Sequence, residues 1–324
     1  MSDDKVTAQF GFEVGKKTGS LIDLAVNRYF ETTQYSVKSL QPMLGNDLGH
    51  YLISFSDNPS GVVLHIKSCS SKKDLDYVCK ILKIIDKKYV NVAQFYISKN
   101  GLCEETVGPY FVTVTEYFSG RHFKPEISDI KELALGLSNL HGALLKISDV
   151  RDVEQATRSL NDAKVHHLHN GIHSFRQRVP RDFHEVLSYA KEHVDINWNS
   201  FGEKQICHGD LSPGNVLFGD KGQVVFLDFE TAATSYKPVY ADVGMCGLRY
   251  CLSEHITDSE LNISAFIDNY SFKRVDRQFF LKSMTNVACN SAITLDYLMM
   301  KGDKFRLSEW QKVAGWLLFL KKFN

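Results

Sequence analysis

The chain lacks a surplus of either charge: among its 324 residues, 38 Lys and Arg stand against 38 Asp and Glu. A dedicated nucleic-acid binder needs a basic excess to displace counterions from phosphates, so that class is excluded first. Long apolar runs are missing too. A stretch such as residues 314–320 falls far short of the roughly 20 apolar residues of a membrane span. The first residues, Met1 to Lys5, are polar and have no apolar signal segment behind them. Seven cysteines, an odd number without regular spacing, do not form a disulfide framework and fit a reduced compartment. A cytoplasmic protein without nucleic-acid or membrane partners is expected.

What is present is an ordinary globular composition, 44% hydrophobic and 23% charged, in a chain long enough for two lobes. Residues 21–30 carry a helical pattern, with Leu21, Leu24 and Ala25 on one face. Strand-like runs follow at residues 35–43, 50–55 and 62–66, separated by turn-forming clusters. Residues 74–85 return to helical periodicity, and 92–97 and 110–117 read as two more strands around a loop. After Gly120 the pattern is mostly helical, over residues 127–145, 153–169, 183–193, 239–253, 261–270, 277–298 and 308–321. A β-rich interruption at 205–229 contains two apolar segments flanking a turn, which reads as a hairpin. Strands before helices give an α+β chain in two lobes, divided as residues 1–118 and 119–324.

The interruption carries the chemistry. It contains His208, Gly209 and Asp210, then Asn215, and after an apolar strand Asp228, Phe229 and Glu230. Phosphoryl transfer needs a carboxylate to take or orient the proton of the attacking hydroxyl. It also needs hard oxygen ligands that hold Mg²⁺ against the triphosphate. Asp210 lies at the mouth of a loop, Asn215 where that loop enters the hairpin, and Asp228 at the end of the returning strand. The three polar groups converge at one end of the hairpin.

These two motifs resemble the catalytic loop and metal-binding strand of the aminoglycoside phosphotransferase and choline kinase group, which includes type II homoserine kinases. The resemblance runs over residues 35–252 and is weakest in its first third. It implies a protein-kinase-like fold with a β-rich nucleotide-binding lobe and a mainly helical lobe holding the catalytic loop and acceptor site. It implies ATP and Mg²⁺ as cofactors, Asp210 as catalytic base, and Asn215 and Asp228 as metal ligands. Asp242 matches a position that braces the catalytic loop through its backbone amides, and His208 reads as a loop-organising side chain. In the first lobe, Lys67 matches the lysine placed near the nucleotide phosphates, Gly45 and Asn46 sit in the phosphate-covering turn, and Glu116 and Phe118 lie in the hinge that meets adenine. Two departures stand out: residues 78–84 carry no acid to pair with Lys67, and His65 occupies a place usually held by a small apolar residue.

The implied function is a small-molecule kinase moving the γ-phosphoryl group of Mg-ATP to a hydroxyl. The alternative is a pseudokinase that keeps the fold as a binding or scaffold module. The acceptor region offers no acidic excess. Residues 149–200 hold eight acids and seven bases, and from Thr231 onward twelve bases face nine acids. A polycationic aminoglycoside calls for an acidic pocket, so a neutral, zwitterionic or sugar-like acceptor is favoured. His166, His167, His169 and His173 crowd one stretch, but a straight helix face does not wrap an ion, and a surface helix is expected there.

Overall fold

Alternating apolar residues dictate the first half of the molecule, and helical stripes dictate the second. A computed structural model describes residues 16–31, 34–41, 49–56, 61–68, 72–170, 179–219, 222–304 and 306–323. The chain divides into two units, Met1–Lys87 with Asn91–Gly120, and Lys88–Val90 with Arg121–Asn324.

The first unit is built on an antiparallel sheet in the order β1-β2-β3-β6-β5, from strands β1 (Tyr35–Gln41), β2 (Gly49–Phe55), β3 (Val62–Lys67), β6 (Tyr110–Glu116) and β5 (Glu104–Val107). Burial alternates along β2 and β3, so Tyr51, Ile53, Val62, Leu64 and Ile66 enter one core. Helix α1 (Lys16–Tyr29) joins that core through Ile22, Ala25, Val26 and Tyr29. The sequence pattern placed Leu21 and Leu24 on this inner face, yet Leu24 is 58% exposed. Tyr29 sits on the observed inner face, and its hydroxyl donates toward the Cys103 carbonyl at 3.0 Å and that of Val112 at 2.9 Å.

The strand expected at residues 92–97 is reduced to β4 (Asn91–Val92) and an isolated bridge between Phe95 and Thr115. Its place in the sheet belongs to β5, whose two glutamates disguise it. Glu105 is buried because its carboxylate accepts hydrogen bonds from Ser98 Oγ at 2.6 Å and Asn100 Nδ2 at 2.8 Å. Helix α2 (Lys72–Ile84) buries Leu75, Val78, Ile81 and Leu82. Its Cys79 is joined to Cys103 by a disulfide. Cys207, Cys246, Cys251 and Cys289 are free and buried.

The second unit is helical: α3 (Ile127–Leu144), α4 (Arg151–Asn170), α5 (His184–His193), α6 (Tyr240–Cys246), α7 (Ile256–Asn269), α8 (Arg277–Met300) and α9 (Leu307–Leu320). Helix α8 begins on Asp276, whose side chain accepts the Phe279 N–H at 2.8 Å, and it packs against α5, α6 and α9. Gly244 lets α6 approach it closely, since a Cβ there would meet the Ser283 backbone at 2.7 Å. Two short pairings interrupt the helices: β7 (Gln205–Ile206) with β10 (Tyr236–Lys237), and the hairpin of β8 (Val216–Phe218) and β9 (Val224–Phe226). No helix among the described residues is long and apolar enough to cross a membrane.

Helix α4 is not a surface helix on all sides. Val153, Thr157, Asn161, Lys164 and His167 form a buried stripe that is mostly polar. Its polar atoms find partners elsewhere: Thr157 Oγ1 accepts the Tyr236 N–H at 2.9 Å, and His167 Nε2 donates to Asp296 at 2.8 Å. His173 lies outside the described residues.

Candidate functional site

The loop after β7 is tied at four points. His208 is fully buried, and burial lowers its pKa, so the ring is held neutral. Its Nε2–H donates to the Leu227 carbonyl at 2.8 Å, which leaves Nδ1 to accept the Asp210 N–H at 3.3 Å. Gly209 has φ 85°, and a Cβ there would lie 2.2 Å from Ser235 Oγ, so no larger residue fits. Asp242, near the start of α6, accepts the His208 N–H at 2.8 Å and the Gly209 N–H at 2.9 Å.

Asp210 emerges from this loop half-buried. A single turn of 3₁₀ helix, Pro213–Asn215, then returns the chain toward it. Asn215 Nδ2 donates to the Asp210 carbonyl at 3.0 Å and to Asp210 Oδ2 at 3.1 Å. With its nitrogen so engaged, the Asn215 side chain has its oxygen left as a ligand atom. The hairpin pairs Val216 with Phe226, and beyond that pair the Leu227 N–H donates to the Asn215 carbonyl at 2.8 Å. Asp228 follows directly. It is exposed and has φ 54°, a left-handed conformation uncommon for any residue but glycine. Strain of this kind is kept where the surroundings over-determine it, and it clusters at functional positions. The fields of Asp228 and Asp210 both reach His208. The structure therefore brings Asp210, Asn215 and Asp228 together around one buried imidazole.

In the first unit Lys67 ends β3 opposite Phe111, and Val62 at the other end pairs with Glu116. The Glu116 carboxylate accepts from Lys87 and, at 3.2 Å, from the Gln94 N–H. Glu116, Tyr117 and Phe118 line a cavity of about 330 Å³ with Gly61, Lys87 and Tyr96. His65 is explained by its partners. It pairs across β2 and β3 with His50, sharing an Nδ1–Nδ1 hydrogen bond at 2.6 Å, and its Nε2 lies 2.8 Å from Thr115 Oγ1. Burial, then the neighbouring His50 and Lys67, keep its pKa well below the ordinary value, so it is neutral. Gly45 and Asn46 lie outside the described residues.

Sequence reasoning missed His141. On the apolar face of α3, it is fully buried, with Nδ1 2.7 Å from the Tyr270 hydroxyl and Nε2 donating to Asp242 at 3.1 Å. A single histidine 101 residues from its partner carries no spacing signal, and only the packed helices reveal the pair.

The fold is thus α+β and protein-kinase-like, with a β-rich first unit and a mainly helical second one. A model of the phosphotransferase enzyme family, APH, matches residues 51–267. The chain belongs to this family and is a phosphotransferase enzyme. No curated protein sequence matches it. Among solved structures it is similar to a Plasmodium vivax ethanolamine kinase at 14% identity and TM-score 0.63, covering 95% of this chain and 89% of that one. Amicoumacin kinase hAmiN, in complex with AMP-PNP and Ca²⁺, matches at 14% identity and TM-score 0.61 over 95% of this chain and 94% of that one. Choline kinase LicA from Streptococcus pneumoniae matches at 15% identity and TM-score 0.57 over 93% and 99%.

Proposed function

We propose that the chain transfers the γ-phosphoryl group of Mg-ATP to a hydroxyl of a small molecule. The observation that carries this reading is the Asp210–Asn215 hydrogen bond at 3.1 Å beside a left-handed Asp228. Asp210 accepts or orients the proton of the attacking hydroxyl, and Asn215 fixes the carboxylate so that one oxygen faces the acceptor. The donor set fits Mg²⁺: an exposed carboxylate on Asp228 and the free amide oxygen of Asn215 are hard ligands, and Mg²⁺ takes only one or two carboxylates in such sites. When bound, the ion supplies neutralisation of charge on the phosphate oxygens. His208 and Asp242 hold the loop and take no part in proton transfer.

Residues 1–118 are read as the nucleotide lobe and residues 119–324 as the catalytic and acceptor lobe. Lys67 serves the phosphates, Gly45 and Asn46 the covering turn, and Glu116 and Phe118 the hinge. The AMP-PNP complex of hAmiN supports a nucleotide as donor. The charge balance of the acceptor regions supports a neutral, zwitterionic or sugar-like acceptor. The test is steady ATP consumption with Mg²⁺ over a panel of hydroxylated metabolites. Turnover with one acceptor, and none without Mg²⁺, is expected. Nucleotide binding with no turnover on any acceptor would instead favour the binding module.

A further inference from the structure

Beside the catalytic loop lies a cavity of about 780 Å³, wholly within the second unit. Phe123, Tyr250, Trp316 and Phe319 give it aromatic walls. Two of these connect it to the chemistry. Phe123 packs edge-on to Tyr250 at 4.9 Å and also meets Phe218 of β8, while its neighbour His122 reaches the Pro213 carbonyl at 3.3 Å. Tyr250 is raised in pKa by burial and by Cys246, and the charge of Asp210 is close enough to add to that.

Arg249 also lines this cavity. It stands on a π-helical turn, Gly247–Cys251, that continues α6, and such single turns re-aim side chains at functional sites. Its guanidinium lies 4.7 Å from the centre of the Trp316 ring. The indole lies against the cation, and a guanidinium meets carboxylate or phosphate through the N–H groups in its own plane. The Arg249 Nε is buried and has no hydrogen-bond partner among the described residues, and the same holds for the Tyr250 hydroxyl. Both atoms are closed to solvent, so what Arg249 offers a ligand is the rest of its guanidinium, and the half-buried side chain makes no hydrogen bond or ion pair among the described residues. The acids Glu254 and Asp258 also line the cavity, but both are exposed, where water screens them.

We infer that this cavity is the acceptor site and that Arg249 narrows the zwitterionic and sugar-like classes to an acceptor carrying an anionic group, a carboxylate or a phosphate monoester, on a body that packs against the aromatic walls. The inference rests on the phosphotransfer reading of Asp210. The guanidinium fork takes the anion in plane, Trp316 fixes the fork, and the far end of the molecule presents its hydroxyl toward Asp210.

The experiment is calorimetric titration of the full chain with a panel of hydroxy carboxylates and hydroxylated phosphate monoesters, each beside its neutral amide or ester-free counterpart. At least one anionic member should bind about tenfold or more tightly than its neutral counterpart. Arg249→Met should level that pair, and Arg249→Lys, which keeps charge without the fork, should retain part of it; melts of both variants check folding. If no pair is split in the native protein, or the split survives in Arg249→Met, the inference is wrong. Which anion wins distinguishes carboxylate from phosphate. Asp210→Asn should keep the split while transfer is lost. A native protein that binds the anion yet phosphorylates nothing would overturn the kinase reading and leave the anion site standing. Phosphorylation of neutral hydroxyl compounds without anion preference would do the reverse.

Discussion

Asp242 holds Gly209: its Oδ1 accepts the Gly209 N–H at 2.9 Å across 33 residues of sequence, while Oδ2 takes the adjacent His208 N–H. The carboxylate is buried, which alone would raise its pKa. Hydrogen bonding from His141, the field of His141 and the Gly209 amide outweigh burial and bring it below the ordinary carboxylate value. A depressed folded pKa contributes stability that is present above the unfolded value, near 4, and lost as pH falls through the folded value.

Asp242→Ala therefore removes a buried charge and strands His141 and two backbone amides. The expected loss is about 3–5 kcal/mol at pH 7, read by urea unfolding. The native protein should lose part of this advantage as pH falls below about 4. A variant as stable as the native protein at pH 7 would show that the carboxylate is not holding the loop.

Asp210→Ala should reduce phosphoryl transfer by a factor on the order of 10² or more while leaving Mg-ATP binding nearly intact. Near-native turnover in this variant would remove Asp210 from the proton path.

Asp228→Asn is the cleaner test of the metal position, because Asn tolerates the left-handed backbone that Asp228 adopts at φ 54°. Nucleotide affinity should lose most of its dependence on Mg²⁺, and turnover should fall with it. Should nucleotide titrations with and without Mg²⁺ still differ as in the native protein, the ligand lies elsewhere.

Lys164 is 8% exposed on the inner stripe of α4 and makes no hydrogen bond or ion pair among the described residues. Burial, assisted by Lys237, lowers its pKa to about 7. The unfolded chain then binds the proton more tightly between about pH 7 and the ordinary lysine value, so native stability rises with pH across that window. Lys164→Met should stabilise the protein by about 1–3 kcal/mol at neutral pH, with the gain shrinking toward pH 10. An equal gain at both pH values would mean that Lys164 does not titrate in the native state.

Local chemistry made the β8–β9 hairpin readable. Asp210, Asn215 and Asp228 lie within 19 residues of one another, and the alternation of β8 and β9 between them sets where each emerges. The helices of the second unit were equally legible, because their apolar stripes repeat at the helical period wherever they face the core. Strand β5 was not, since Glu104 and Glu105 look like surface residues until Ser98 and Asn100 supply partners for the buried Glu105 carboxylate. Nor was the inner face of α4, whose buried side chains are mostly polar and depend on Asp296 and Tyr236 from distant segments. The Cys79–Cys103 disulfide, the His141–Asp242 pair and the orphaned Arg249 Nε behind Trp316 share that character. The sequence by itself determined most of the helices and the two strands of the hairpin that carries Asn215 and Asp228, because those depend on periodicity and short spacing. Only the tertiary structure decided how buried polar groups are satisfied or left wanting, because their partners come from segments that nothing but packing brings together.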